Sequence, residues 1–147
     1  MKVVLDIETD QLDASVVNCI VAKNVDTNVY TVFDPSNMHV FKNWSKDIDK
    51  YIMHNGLSFD APVLNRLLGV EIKPSQVTDT LILSQMFNPL REGGHSLGVW
   101  GDRFNFPKGS INSFATYTHE LKKYCQQDVD ITHKLYEHLK KEGQGFS

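Results

Sequence analysis

The 147-residue sequence predicts an α/β or α+β fold in which a mixed β-sheet is flanked by helices. Two observations support this prediction. Residues 1–33 contain three consecutive segments with the apolar pattern of strands, and the remainder alternates helical segments with a further strand. The length suits one domain, and no repeat or low-complexity linker divides the sequence. We therefore expect a single domain over residues 1–147.

Four strands are predicted from apolar periodicity and composition. They span residues 2–9, 16–23, 29–33 and 51–54. In the first strand, alternation places Asp6 and Glu8 on one face and an apolar series beginning at Val3 on the other. The turn-like residues 26–28 join the second strand to the third, which predicts an antiparallel meander. The first strand is expected at the centre of the sheet, because one face is apolar and the other carries the acids.

Helical spacing of apolar residues predicts five helices. They span residues 40–50, 59–68, 80–87, 97–104 and 118–141. Gly69 is expected to close the second helix, and Asp79 is suited to cap the amino terminus of the third. Residues 88–116 are otherwise irregular, and Gly143 and Gly145 are expected to fray the end of the last helix.

The composition excludes several classes of protein. Hydrophobic residues make up 41% and charged residues 22%, which is typical of a globular protein in water. No apolar run approaches the ~20 residues of a membrane span, and the first ten residues do not resemble a signal peptide. The two cysteines form no spaced framework, so free thiols and an intracellular location away from membranes are expected.

The net charge of −3 argues against tight, non-specific binding to duplex nucleic acid. It does not exclude an enzyme that binds phosphates through metal ions, since two divalent cations would change the count to −3 + 4 = +1. Charge alone therefore leaves the function open.

Asp6 and Glu8 are the first candidate metal ligands. They project from the same face of an otherwise apolar strand, about 7 Å apart along the chain. Their charges repel each other unless a cation lies between them, and carboxylate oxygens are the ligands that hard divalent ions prefer. The alternative is that the two acids mark the solvated end of a strand.

Two further acids occupy apolar helical faces. Asp60 begins a helix whose inward face continues with Val63 and Leu64, so it is expected to point toward the core; a helix N-cap is the alternative. Asp128 lies one turn after Tyr124, within the apolar stripe of the last helix. An acid there is unfavourable by several kcal/mol unless it binds a metal ion or forms a salt bridge.

These acids belong to an ordered set of motifs: an acid pair on the first strand, an acid at a middle helix, and Tyr-x-x-x-Asp on the last helix. The motifs are LDIET (5–9), HNGLSFDAPVL (54–64), DTLILSQMF (79–87), GHSLGVWGDRF (94–104) and YCQQDVDIT (124–132). The set resembles the DEDD exonuclease superfamily in its tyrosine-bearing branch, most of all the proofreading domain of phage-type family A DNA polymerases. This resemblance implies a ribonuclease H-like α/β fold with a mixed five-stranded sheet flanked by helices.

The resemblance also implies two divalent metal ions, Mg²⁺ or Mn²⁺. Asp6, Glu8 and Asp128 would hold the tighter ion, and Asp6 would be shared with a second ion that Asp60 reaches through water. Such a pair of ions activates water and stabilises the leaving oxygen in phosphodiester hydrolysis.

Tyr124 is implied to orient the attacking water. The sister branch of the superfamily has a histidine five residues before its last aspartate, and this position is Lys123 here. The resemblance therefore favours the tyrosine branch.

Five residues in or near the motifs are candidates for substrate binding. They are Thr9, Leu12, Asn55, Phe59 and His95. Four of these residues have a structural alternative: a tight turn at Asn55, core packing at Leu12 and Phe59, and for the stretch at His95 a helix cap supplied by Ser96.

The sequence thus predicts a 3′-5′ exonuclease that removes nucleoside monophosphates from the 3′ end of single-stranded DNA. We expect a cytoplasmic monomer of a bacterial or phage-infected cell, with a DNA polymerase or other replication protein as a partner. The alternatives are an RNA-trimming exonuclease and a non-catalytic nucleic-acid-binding or polymerase-accessory module. A start at Met1, with no polymerase sequence after Ser147, favours a stand-alone nuclease over part of a larger chain.

Overall fold

The fold is seen in a computed structural model that describes residues 1–145. The strands are β1 (Lys2–Thr9), β2 (Val17–Asn24), β3 (Tyr30–Phe33), β4 (Lys50–Met53) and β5 (Val77–Asp79). They form one mixed sheet in the order β3-β2-β1-β4-β5. Antiparallel pairing joins β1 to β2 and β2 to β3, whereas β1 and β4, and β4 and β5, pair in parallel. The predicted meander, the central position of β1 and the five-stranded mixed sheet are confirmed.

The helices flank this sheet. Within residues 1–145, the α-helices are α1 (Phe41–Trp44), α2 (Asp60–Leu68), α3 (Thr80–Phe87), α4 (Leu97–Arg103) and α5 (His119–Gly145). Gly69 ends α2 in the left-handed conformation (φ 66°), and the Asp79 side chain accepts a hydrogen bond from the Leu81 N–H at the start of α3, as predicted. None of these helices combines the length and apolar character needed to cross a bilayer.

The helix predicted over residues 40–50 is wrong in its extent. Only the four residues of α1 are α-helical, and 3₁₀ turns at Met38–Val40 and Ser45–Asp47 flank them. Ile48 is already extended (ψ 123°), and Lys50 pairs with Lys2 in the sheet. The backbone groups at Lys50 therefore pair with β1 in the sheet and are not available for helical hydrogen bonds.

β5 was not identified from its own residues. It is three residues long and pairs in parallel with Tyr51–Met53 at the edge of the sheet. A segment this short shows no usable alternation, so only its pairing with β4 reveals it.

Two buried layers cover the sheet. On one face, the apolar residues of β1 share a cluster with Phe41 of α1 and Leu64 of α2. On the other face, α5 packs on β1, and Cys125 is fully buried there. Asp6 and Glu8 belong to this second face, so the alternation of β1 places both acids beside α5.

α5 continues beyond its predicted end near Lys141, and the expected fraying at Gly143 and Gly145 is wrong, since both lie in the helix. Arg91 pairs with the Glu142 carboxylate in this last part of α5. Gly143 lies against Phe87, where an added Cβ would be 3.0 Å from the ring. Contacts with the end of α3 and the residues that follow it therefore support the last turns of α5.

Candidate active site

Asp6 and Glu8 lie where β1 changes its pairing. On one edge, β1 stays paired with β2 as far as Thr9, but on the other edge its pairing with β4 ends at Val4. Beyond Val4, that edge of β1 has no pairing with β4, and the segment that follows β4 in the chain can approach it. Both acids are half-buried.

The segment after β4 is a tight turn that leads directly into α2. Asn55 adopts a left-handed conformation (φ 63°), which confirms the turn that was its structural alternative. Gly56 lies so close to Met53 that an added Cβ would be 2.3 Å from the Met53 Cβ. The Asp79 carboxylate accepts hydrogen bonds from the N–H groups of Asn55 (2.9 Å) and Leu57 (3.1 Å). These contacts determine where α2 begins.

Asp60 is the first residue of α2 and is only 5% exposed. The N-cap position is Phe59, and no side chain caps the helix there, so the N-cap alternative for Asp60 is wrong. Asp60 Oδ2 is buried without a hydrogen-bond partner among residues 1–145. Burial, followed by the charges of Asp6 and Asp79, raises the pKa of Asp60 well above its ordinary value. The effect of Asp6 shows that the first residue of α2 lies near the acids of β1.

Asp128 reaches the same site from α5. It is 4% exposed, and its Oδ1 has no hydrogen-bond partner in the described part of the chain. Its Oδ2 lies 3.4 Å from Lys108 Nζ, so the salt-bridge alternative accounts for one of the two oxygens. One turn earlier, Cys125 Sγ donates to the Asp6 backbone carbonyl (3.4 Å) and lies 3.5 Å from Asp6 Oδ2. The helix is thereby held directly against β1.

The pKa values of all four acids are raised, in each case chiefly by burial. Burial first, and then the charges of Asp128 and Glu8, raises the pKa of Asp6 well above its ordinary value. Burial and the charge of Asp128 raise the pKa of Glu8 to about 8. Burial raises the pKa of Asp128 to about 6, although the charge of Lys108 acts in the opposite direction. Acids this close destabilise a fold unless cations offset their charge.

The cluster fits divalent metal ions. Potential ligand atoms of Asp6, Glu8 and Cys125 lie within 4.8 Å of one another. Asp60 and Asp128 each contribute a buried carboxylate oxygen that lacks a partner in residues 1–145, and bound cations would satisfy these oxygens. Hard carboxylate oxygens are the ligands that Mg²⁺ and Mn²⁺ prefer.

Tyr124 lies on α5 one turn before Asp128 and is half-buried. Its ring packs edge-on against Phe114, with 5.5 Å between ring centres, and Lys108 Nζ is 5.2 Å from its ring centre. Burial raises the pKa of Tyr124 above its ordinary value of 10, so the hydroxyl is protonated at neutral pH. It can donate a hydrogen bond but cannot act as a base there.

The substrate-binding candidates near β1 and α2 have different surroundings. Leu12 is 93% exposed in the loop after β1, which contradicts packing as an explanation for it. Thr9 is buried, and its hydroxyl donates to the Gln11 carbonyl (2.9 Å). Phe59 is half-buried and packs against the core on the α1 and α2 side. Their roles toward substrate stay predictions.

His95 has protein partners on both ring nitrogens. Its Nδ1 lies 2.7 Å from the Ser84 hydroxyl, which also accepts a hydrogen bond from Trp100 Nε1 (3.1 Å). Its Nε2 lies 3.4 Å from the Pro89 carbonyl. Ser96 caps α4, because its hydroxyl accepts a hydrogen bond from the Val99 N–H (3.2 Å), which confirms the structural alternative for this stretch. A substrate contact by His95 stays a prediction.

Lys108 and Cys125 are the site residues that sequence reasoning missed. Lys108 lies in the irregular segment, where no periodicity assigns a direction to its side chain. Cys125 looked like one more apolar position of the α5 stripe. Neither residue has a motif of its own, and only the contacts with Asp128 and Asp6 show that they border the acids.

Comparison with known families accounts for this arrangement. A family model of the 3′-5′ exonuclease of DNA polymerase A matches residues 1–144. The chain belongs to this 3′-5′ exonuclease family. It is therefore a nuclease of the DEDD exonuclease superfamily, and the resemblance inferred from the motifs is confirmed at that level. Exonuclease domains of this family use divalent metal ions, in agreement with the carboxylate cluster.

A solved structure supports the fold. The family B DNA polymerase from the hyperthermophilic archaeon Pyrobaculum calidifontis matches with a TM-score of 0.67 and 20% sequence identity. The match covers 94% of this chain but 24% of the polymerase, so the chain spans about a quarter of that protein. No curated protein matches the sequence.

Proposed function

We propose that this exonuclease removes nucleoside monophosphates from the 3′ end of single-stranded DNA by a mechanism that uses two divalent metal ions. One observation carries the proposal: four buried or half-buried acids from three separate segments lie close enough to influence one another's charge, and two of them present buried oxygens without partners in residues 1–145. A fold has no structural reason to assemble these charges.

The metal ligands are proposed to be the four acids. Asp6, Glu8 and Asp128 would hold one ion, and Asp6 and Asp60 would serve a second. Ions bound there supply an acidified water nucleophile and neutralise charge on the phosphate. Family membership and the fit of the cluster to hard cations support this assignment.

Tyr124 is proposed to orient the attacking water. Its hydroxyl is protonated at neutral pH and lies on the helix that carries Asp128. As a donor, it can hold a water oxygen in one orientation without removing a proton. This role would place the chain in the tyrosine branch of the superfamily.

DNA is the proposed substrate because the matching family model and the matching solved structure are both named for DNA polymerases. A single strand is favoured over duplex, since a net charge of −3 gives little non-specific attraction to a duplex. We also propose that the protein acts as a monomer, alone or beside a DNA polymerase.

A labelling experiment tests substrate and direction together. Linear single-stranded DNA carrying a 5′ label, RNA of the same sequence and circular single-stranded DNA are incubated with Mg²⁺ or Mn²⁺, and again with excess chelator. We expect a ladder that shortens from the 3′ end of the linear DNA only, and no reaction in chelator.

The matched variants are Asp6→Ala and Asp128→Ala, with Asp102→Ala on the exposed side of α4 as control. The first two should lose nearly all activity, and the control should keep it. Degradation of circles at the linear rate would identify an endonuclease, and faster loss of the RNA would identify an RNA-trimming enzyme. No degradation of any substrate would favour a non-catalytic module.

A further inference from the structure

A shallow trough runs along the outer side of α5, and none of the four acids lines it. Its volume is about 650 Å³. It is bordered by Phe104 and Phe106 after α4, by Lys23 and Tyr30 of β2 and β3, and by α5 from Asp130 to Lys141. Past Phe104 it continues into a second recess of about 450 Å³, which Arg91 and Arg103 border. The two recesses together form the α5 trough.

The phenylalanine rings of the α5 trough are partly exposed and held in position by their neighbours. Phe104 stacks on the buried ring of Trp100, with 5.6 Å between ring centres and 29° between ring planes. Lys134 Nζ lies 5.0 Å from the centre of the Phe106 ring. Rings that are already ordered lose little freedom when a planar group stacks on them. They therefore suit nucleotide bases, each of which has a flat π face.

The α5 trough is a positive surface on an acidic protein. Five lysines and arginines and three acids line it, although the net charge of the protein is −3. Two of these acids are already paired, because Asp130 lies 3.3 Å from Lys23 Nζ and Glu137 lies 3.6 Å from Lys140 Nζ. A local excess of positive charge attracts a polyanion whatever the net charge of the whole protein.

Three cations of the α5 trough have no carboxylate partner among residues 1–145. Lys134 and Lys141 are exposed, and no ion pair of the described chain includes them. Arg103 is also exposed, and its guanidinium donates to the backbone carbonyls of Glu92 and Gly94. Charge-assisted hydrogen bonds to phosphate oxygens are therefore open to all three side chains.

The α5 trough lies next to the acid cluster. Phe106 is two residues before Lys108, whose Nζ lies 3.4 Å from Asp128 Oδ2. On α5 itself, Lys134 and Lys141 follow Asp128 by about 9 Å and about 20 Å along the helix axis. A strand whose 3′ end lies at the acids can therefore reach the trough with nucleotides a short distance upstream of that end.

A single strand fits this combination of rings and cations better than other nucleic acids do. It exposes bases to the aromatic rings and phosphates to the lysines, as in proteins that bind single strands without sequence preference. A duplex hides the faces of its bases. A mononucleotide offers one base and one phosphate to a trough that extends about 17 Å along α5.

We propose that the α5 trough binds the single-stranded substrate upstream of its 3′ end, with bases on Phe104 and Phe106 and phosphates on Lys134 and Lys141. The proposal rests on the proposed exonuclease function and adds a second binding region to it. The trough strengthens the binding of long strands, whereas a short strand reaches only the acid cluster. It takes no part in the chemical step.

The test uses a lysine variant that combines Lys134→Gln with Lys141→Gln and so loses two exposed charges. Its charge control combines Lys46→Gln with Lys73→Gln, at exposed positions outside the trough. Phe106→Leu removes a ring and keeps an apolar side chain.

Binding is measured by fluorescence anisotropy in chelator, where no cleavage is expected. The probes are 5′-labelled thymidylate oligomers of about 4 and about 16 nucleotides, the limits of single-strand site sizes, and a duplex of the longer length. Cleavage of the same oligomers with Mg²⁺ gives kcat and KM. Thermal unfolding checks that each variant folds.

The lysine variant should bind the long oligomer roughly 5- to 30-fold more weakly than the wild type. The slope of log K against log salt concentration should become less steep by about 1.4, which is about 0.7 for each lost phosphate contact. Phe106→Leu should weaken binding roughly 5- to 150-fold, as for the loss of one stacked base. Both losses should appear in KM for the long oligomer rather than in kcat and should be much smaller for the short oligomer. The charge control should match the wild type.

Several results would overturn the proposal. They are unchanged binding of the long oligomer by the lysine variant, an equal loss in the charge control, and an equal loss for the short oligomer. Equally tight binding of the duplex would identify a duplex surface instead, and wild-type binding by Phe106→Leu would refute the base contact. If the wild type cleaves no nucleic acid, the proposed function fails, and anisotropy still decides whether the trough binds a single strand. If Phe106→Leu does not fold, the lysine variant decides, since both of its substitutions are at exposed positions.

Discussion

The acid cluster predicts an unusual dependence of stability on pH in the absence of metal ions. Burial and the charge of Asp128 raise the pKa of Glu8 from 4.5 to about 8 in the folded protein. Between these pH values, the unfolded chain has released the proton of Glu8 and the folded protein retains it. The metal-free protein therefore loses stability as the pH rises from 4.5 to about 8, and the loss is complete above that range. Glu8→Gln has no proton to release and should abolish this part of the loss.

The size of the effect follows from the pKa of Glu8. At about 1.4 kcal/mol per pKa unit, the rise from 4.5 to about 8 corresponds to about 5 kcal/mol. Part of this energy is shared with Asp6 and Asp128, whose pKa values are also raised, and the charge of Lys108 offsets another part. We therefore expect Glu8→Gln to gain about 2–5 kcal/mol over the wild type at pH 9, or roughly 5–20 °C in melting temperature for a protein of this size.

Thermal unfolding in chelator, measured between pH 4.5 and 9, tests this expectation. Glu71→Gln serves as the control, since Glu71 is exposed. The melting temperatures of the wild type and Glu71→Gln should fall together as the pH rises, while that of Glu8→Gln should fall less. Saturating Mg²⁺ should restore the wild type at high pH, because the ionised acids then bind the cation. If Glu8→Gln follows the wild type throughout, burial and the charge of Asp128 do not raise the pKa of Glu8 as the geometry indicates.

Three further substitutions separate catalytic from structural roles. Asp60→Asn should abolish most cleavage but keep or raise the urea midpoint of the metal-free protein, because no side-chain cap is lost and a buried acid is neutralised; retained cleavage would remove Asp60 from the site. Tyr124→Phe should slow single-turnover cleavage about 10- to 1000-fold, and Asp128→Ala should slow it more. A wild-type rate for Tyr124→Phe would show that Tyr124 contributes only the packing of its ring. Asp79→Ala should lower the free energy of unfolding in urea by about 2–3 kcal/mol, since three backbone N–H groups lose their acceptor; a neutral result would contradict those contacts.

Features that depend on backbone periodicity were predictable. Successive side chains of a strand point to opposite faces, so the order of residues alone places Asp6 and Glu8 together on one face of β1. Residues four apart share a face of a helix, which places Tyr124 and Asp128 together on α5. The cap at Asp79 was also predictable, because it is a local contact whose partner N–H lies only two residues away.

Features that depend on pairing between distant segments were not predictable. The helix expected over residues 40–50 stops early because Lys50 pairs with Lys2, and β5 exists only through its pairing with β4. The final turns of α5 persist because Arg91 and Phe87 contact them. In each case a partner far along the chain decides between local conformations of similar energy.

The sequence by itself determined which acids are candidates and which face of its own element each one occupies. Only the tertiary structure decided that Asp60 meets Asp6, since this depends on the turn at Asn55 and the Asp79 carboxylate that holds it. The same applies to Lys108, which approaches Asp128 across 20 residues of chain. A charged side chain in an irregular segment has no periodic neighbour, so its partner is set by how the segment packs, and electrostatic energy depends on that distance in space.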